Sequence, residues 1–127
     1  MKELDQARRF LTLAEQDIHA FNVLKVNTGI SESVTCFHAQ QAVEKCLKAA
    51  LSKLSIPFKK THDLYELSWL LTNSGHAPPV SAEKISLLNP YAVTFRYEDE
   101  EITTLSLSQA SEIVDGIHQW TLDQMKQ

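Results

Sequence analysis

Phe37, Gln41, Glu44 and Lys48 fall on one narrow stripe when residues 31–54 are wound as a helix at about 100° per residue. Their types suit polar recognition: an ammonium for a phosphate, an amide for a base or ribose, and an aromatic face for stacking. His38 and Lys45 flank the stripe. It lies well away from the apolar side centred near Val43, so spacing alone predicts a solvent face. On such a face the Glu44–Lys48 i,i+4 pair contributes only about 0.3–0.5 kcal/mol. Phe37 does not suit a solvated face. An aromatic there has to be covered by another element, a partner subunit or a stacked ligand.

Two further groups could do chemistry. In Thr61-His62-Asp63-Leu64 the plain reading is the start of a helix, with Thr61 or Asp63 capping and His62 packing or bonding locally. Phe95-Arg96-Tyr97 precedes Glu98-Asp99-Glu100-Glu101. The plain reading there is an arginine paired with neighbouring carboxylates at a helix end. The functional one is a guanidinium and a phenol aimed into a cleft, the guanidinium holding a phosphate bidentately.

Other chemistries lack their residues. His19, His38, His62, His76 and His118 form no ligand pair of the H-E-x-x-H kind, and neither Cys36 nor Cys46 sits in a CxxC, so no metal site and no cofactor are expected. With 3 Gly in the chain there is no glycine-built phosphate loop or dinucleotide fingerprint. The formal charge of -4 disfavours broad attraction to nucleic-acid phosphates, though Lys59-Lys60 and Lys45, Lys48 and Lys53 form local basic groups that read first as solvated surface. Cys36 and Cys46, about 15 Å apart along one helix, read as buried thiols suited to a reducing compartment. No signal-peptide core or membrane-length apolar run occurs, which makes the cytoplasm the expected location.

The elements that must position these groups are helical. At 127 residues the chain suits one domain, residues 1–127. Residues 3–26 carry Leu4, Ala7, Phe10, Leu11, Ala14, Ile18 and Phe21 at spacings of three and four, and Gly29 is the expected left-handed stop. Ser31 is the expected cap of a second helix reaching about Leu54, with Cys36, Ala39, Val43, Leu47, Ala50 and Leu54 inward. The short turn between them predicts an antiparallel hairpin. A short third helix starts near Asp63 and stops at Asn73-Ser74-Gly75. Ser81 caps a fourth carrying Ile85, Leu88, Ala92 and Phe95, which Pro90 kinks or breaks, and Asn89-Pro90 also reads as an N-cap followed by proline at the first helical position. Glu98 to Glu101 reads as a loop, and Ser108 caps a last helix with Ala110, Ile113, Val114, Ile117 and Leu122 inward.

The same blocks carry a family resemblance. Phe37-His38-Ala39-Gln40-Gln41-Ala42-Val43-Glu44-Lys45-Cys46-Leu47-Lys48-Ala49 resembles the signature second helix of HEPN domains (higher eukaryotes and prokaryotes nucleotide-binding), Thr61-His62-Asp63-Leu64 their next block and Arg96-Tyr97 their third, in family order. The resemblance implies an all-α, up-and-down four-helix bundle with an additional short helix, often homodimeric. It also implies pairing with a minimal nucleotidyltransferase in a two-component, toxin–antitoxin-like module. Catalytic members are RNases with an arginine and a histidine four to six residues apart. Here the corresponding positions hold Glu101, Ile102 and Thr103 after Arg96, Leu13, Ala14 and Glu15 after Arg8, and Ala14, Glu15 and Gln16 after Arg9. No histidine stands at that spacing, so the group that would titrate beside the phosphate is missing.

Three functions remain open at the level of sequence. The first is a non-catalytic HEPN subunit that binds a purine nucleotide through Phe37, Gln41, Glu44, Lys48, His62, Arg96 and Tyr97, dimerises, and pairs with a nucleotidyltransferase. The second is an RNase toxin using another pair, Arg96 with His62 or Tyr97, which leaves RNA open as a partner. The third is a helical interaction module with no ligand.

Overall fold

A computed structural model describes residues 2–92 and 105–127. All of its regular elements are helical, as the periodicity predicts. They are α1 (Lys2–Leu24), α2 (Glu32–Lys53), α3 (Leu64–Asn73), α4 (Ala82–Ser86), a 3-10 turn (Asn89–Ala92) and α5 (Leu107–Met125). The chain forms a helical bundle, with α2 packed against α1, α3, α5 and the 3-10 turn. Asp17 meets His38 and Lys45 while Phe10 meets Phe58, so the start of α1 lies beside the end of α2, as an antiparallel hairpin requires.

The central position of α2 follows from its composition. Ala39, Ala42, Ala49 and Ala50 are all buried, and they allow neighbouring backbones to approach closely. Around them Phe21, Leu47, Leu51, Leu64, Leu67, Leu71, Ile85, Leu88, Ile113 and Ile117 close the core. Burying each large apolar side chain contributes about 1.5–3 kcal/mol before conformational entropy is charged against it.

Most helix ends form where the sequence places them. The Ser31 hydroxyl accepts from the Val34 N–H, the Asp63 carboxylate from the Tyr65 N–H and the Ser81 hydroxyl from the Lys84 N–H. Gly75 takes φ 85° beyond α3, and the next N–H, of His76, closes on the Leu71 carbonyl at 2.9 Å. α4 ends at Ser86 and a separate 3-10 turn starts at Asn89-Pro90, so the fourth helix breaks just ahead of the proline, which has no N–H to continue it.

Three local expectations are corrected. Gly29 is not left-handed. α1 has already ended at Leu24, and the Gly29 N–H donates to the Asn27 side-chain oxygen at 2.9 Å, closing the turn by an Asx bond. α5 is capped by Ser106 rather than Ser108, in a capping box with Gln109. The Asn89 side chain, expected to cap its own element, instead accepts from the Leu64 N–H at 2.9 Å and donates to Asp63 Oδ1 at 3.0 Å. It thereby fastens the 3-10 turn to the start of α3.

Candidate functional site

The Glu44 carboxylate sits at the centre of α2, 4% exposed, with Lys48 one turn further on at 9%. Lys48 Nζ donates to Glu44 Oε2 at 2.9 Å. Gln40 Nε2 donates to Oε1 at 3.0 Å, and the Gln40 oxygen accepts from Gln41 Nε2 at 2.6 Å. The third partner of the carboxylate comes from outside the helix. His62 Nδ1 lies 3.0 Å from Oε1 and 3.1 Å from Oε2. An ionised carboxylate only accepts, so this nitrogen carries the proton and donates. The other edge of the ring, and with it most of a side chain that is 74% exposed, is left to solvent.

This overturns the solvent-face reading of the stripe. Glu44 and Lys48 are polar residues on a helix that is covered on several sides by α1, α3, α5 and the 3-10 turn. A single apolar face, which is what spacing along one helix can show, understates how much of such a helix is buried. The pair is therefore a buried one, satisfied by hydrogen bonds, and its loss costs far more than that of a surface pair.

Beside the pair opens a cleft of about 700 Å³. The end of α2 supplies Lys48 and Ser52, α1 supplies Gln6 and Phe10, and the connection to α3 supplies Phe58 and His62. Glu3, Ser55, Ile56, Pro57, Lys60 and Thr61 complete the lining. One part is cationic and polar. Another is apolar, where the Phe10 and Phe58 rings lie 6.2 Å apart at 54°. The connection is aimed by a Schellman end on α2. Ser55 takes φ 58°, its N–H donates to the Ser52 carbonyl, and the Ile56 N–H reaches back to the Leu51 carbonyl at 2.9 Å. The Ser52 hydroxyl, 4% exposed, has no hydrogen-bond partner among the described residues. Buried polar atoms are seldom left so.

The residues singled out from sequence divide accordingly. Glu44, Lys48 and His62 come together, and Gln41 joins them at one remove through Gln40. Phe37 is half-buried, its ring edge-on to His38 with centroids 5.3 Å apart, and does not line the cleft. Arg96 and Tyr97, together with the acidic run that follows, lie outside the described residues. Gln40, Ser52, Phe10, Phe58 and Lys60 are site residues that the motif reading did not select. Gln40 had a signal: it stands four residues after Cys36 and three before Val43, among the apolar positions, so a buried polar role was legible there. Ser52 continues the Glu44, Lys48 spacing by one more turn.

The remaining ionisable groups near the helix pair are structural in their contacts. Asp17 accepts from Lys45 at 2.6 Å and meets His38 Nδ1 at 3.2 Å, pinning α1 to α2. Among the described residues no group of three or more His, Cys, Asp or Glu could hold a metal ion, and no helix is long and apolar enough to cross a membrane.

With a buried acid–base pair in the second helix joined to the Thr61-His62-Asp63-Leu64 block, the whole-chain comparison becomes decisive. The family model of the HEPN domain matches residues 2–124. The chain belongs to the HEPN family. No curated protein and no solved structure matches it. Two of the three blocks that carried the resemblance in sequence are thus brought into contact in this HEPN chain, through Glu44 and His62.

Proposed function

We propose that this HEPN protein is a non-catalytic nucleotide-binding subunit and that the cleft between α1, α2 and the α2–α3 connection is its nucleotide site. The observation that carries the reading is the pairing of opposite chemistries in one cavity of nucleotide size. Lys48, Lys60 and the unpartnered Ser52 hydroxyl offer a polar part for a phosphate, and Phe10 and Phe58 an apolar part for a purine. Lys60 is exposed and has no ion-pair partner among the described residues, so its charge is available to an anion. The absence of the Arg-x4-6-His spacing from the sequence supports a role without RNA cleavage.

Self-association and pairing with a minimal nucleotidyltransferase in the cytoplasm belong to the same reading. They are supported by the block order of the sequence and by membership of a family whose domains often dimerise.

Calorimetry with AMP and GMP tests the site. Saturable binding is expected, weakened threefold or more (on the order of 1 kcal/mol) by Lys60→Ala, a change at an exposed position that leaves the core untouched. Absence of heat with both nucleotides removes the reading. On the same sample, light scattering after size exclusion is expected to give twice the 14.4 kDa chain mass.

A further inference from the structure

The tautomer of His62 is set by what lies behind it. Glu44 Oε2 already accepts from the Lys48 ammonium and Oε1 from the Gln40 amide, and both oxygens face His62 Nδ1. Every partner of that carboxylate is a donor, and it has acceptor capacity left for a third. The Nδ1 proton is therefore committed to Glu44. In the neutral ring Nε2 then carries a lone pair, and it lies on the side of His62 that is not held by Glu44. Second partners of this kind govern which nitrogen of a histidine is offered to a ligand.

A lone pair in that place repels phosphate oxygens and accepts from a hydroxyl. The cleft has Lys48 and Lys60 to take the phosphate, so His62 is not needed for it. Of the three parts of a nucleotide, the base suits the Phe10–Phe58 part and the phosphate the lysines. The ribose, which joins them, is the part that brings neutral hydroxyl donors. We infer that His62 Nε2 accepts a hydrogen bond from a ribose hydroxyl and makes the cleft selective for ribonucleotides over deoxyribonucleotides. This specificity rests on the nucleotide-binding reading and goes beyond it. It assigns to His62 a recognition role and to Gln40 and Glu44 the positioning of its ring.

The test compares AMP with 2′-deoxy-AMP and 3′-deoxy-AMP by calorimetry at pH 8. One neutral hydrogen bond corresponds to about three- to tenfold in affinity, so at least one deoxy analogue is expected to bind weaker than AMP by that factor. His62→Ala is expected to fold, because the ring is largely exposed, and to bind AMP and the deoxy analogues alike. A purely structural histidine would weaken all three ligands together and leave their ratio unchanged. Equal binding of AMP and both analogues by the parent protein overturns the inference while leaving the nucleotide site standing. A ribose preference that survives in His62→Ala also overturns it. No binding of any of the three removes the site and the inference together.

Discussion

His62 Nδ1 stands 3.0 and 3.1 Å from the two oxygens of Glu44, eighteen residues earlier in the chain, and joins an exposed ring to one of the most deeply buried charges of α2. The contact ties the α2–α3 connection to the middle of the bundle. It also means that the Glu44 carboxylate is satisfied from three directions, by Lys48, Gln40 and His62, and its burial is tolerable only for that reason.

Removing one member of this group should be costly and removing the charges together much less so. Lys48→Met strips the ammonium from a buried carboxylate and is expected to destabilise by about 3–5 kcal/mol. Glu44→Leu combined with Lys48→Met leaves no buried charge. Its residual cost, about 1–3 kcal/mol, comes from the Gln40 amide deprived of its acceptor. Urea unfolding of the two variants and of Glu44→Leu alone gives the cycle. Additive losses would show that the two side chains are solvated rather than paired in the core.

Asn89 is the next strut. Its side-chain oxygen accepts from the Leu64 N–H and its amide donates to Asp63 Oδ1, which also accepts from the Tyr65 N–H. Asn89→Ala leaves the Leu64 N–H without that acceptor and is expected to cost about 1–2 kcal/mol. Hydrogen exchange reads the effect by place. Amides of the first turn of α3 should lose protection before those of α2, and uniform loss through the bundle would mean that Asn89 does not act locally.

Much of this architecture was legible in the residues. Ser31, Asp63 and Ser81 announced three helix starts, Asn73-Ser74-Gly75 a stop and Pro90 a break, because these depend on short-range bonds and on φ. What escaped depended on neighbours far along the chain. Glu44 and Lys48 sat off the apolar stripe, and only the arrival of α3, α5 and the 3-10 turn around α2 converts that polar face into a buried one. Asn89 bonds across twenty-five residues to Leu64, and no local rule distinguishes that from capping its own turn. The cleft itself was hidden because its aromatic part is assembled from Phe10, read as a core residue of α1, and Phe58, in a segment with no periodicity.

Ser55 occupies the left-handed region at φ 58°, where a Cβ is strained by about 1–2 kcal/mol. Glycine meets no such strain, although it gives the unfolded chain more freedom. The balance predicts that Ser55→Gly stabilises by about 0.5–1 kcal/mol and leaves the Schellman bonds of Ser55 and Ile56 in place. A higher midpoint in thermal unfolding with unchanged helicity is the expected result. A lower one would mean that the serine hydroxyl holds the connection by a contact worth more than the strain.

The two thiols give the alkaline limb of stability its shape. Burial, with the charge of Glu32 adding to it, pushes Cys36 from the ordinary 9.0 up to about 11. Cys46 is pushed up to about 12, by burial first and by Glu15, against a hydrogen bond from Thr121 that lowers it. A thiol whose folded value is raised binds its proton more tightly in the native state than in the unfolded chain. Its contribution is therefore fully present below pH 9 and is lost as pH rises from 9 towards about 11 to 12, where the unfolded state gains by ionising. Lysines and tyrosines titrate in the same window, so the informative quantity is a difference. Cys36→Ala with Cys46→Ala is expected to flatten the fall in unfolding free energy between pH 9 and 11 relative to the parent, whatever it does to stability at pH 7. The same burial keeps both sulfurs protonated at neutral pH, and a thiol reagent should label them at the rate of opening of the bundle rather than on mixing. Immediate labelling of either cysteine in the native protein, or parallel pH slopes in parent and double variant, would show that the thiols are not held in the core as α2 places them.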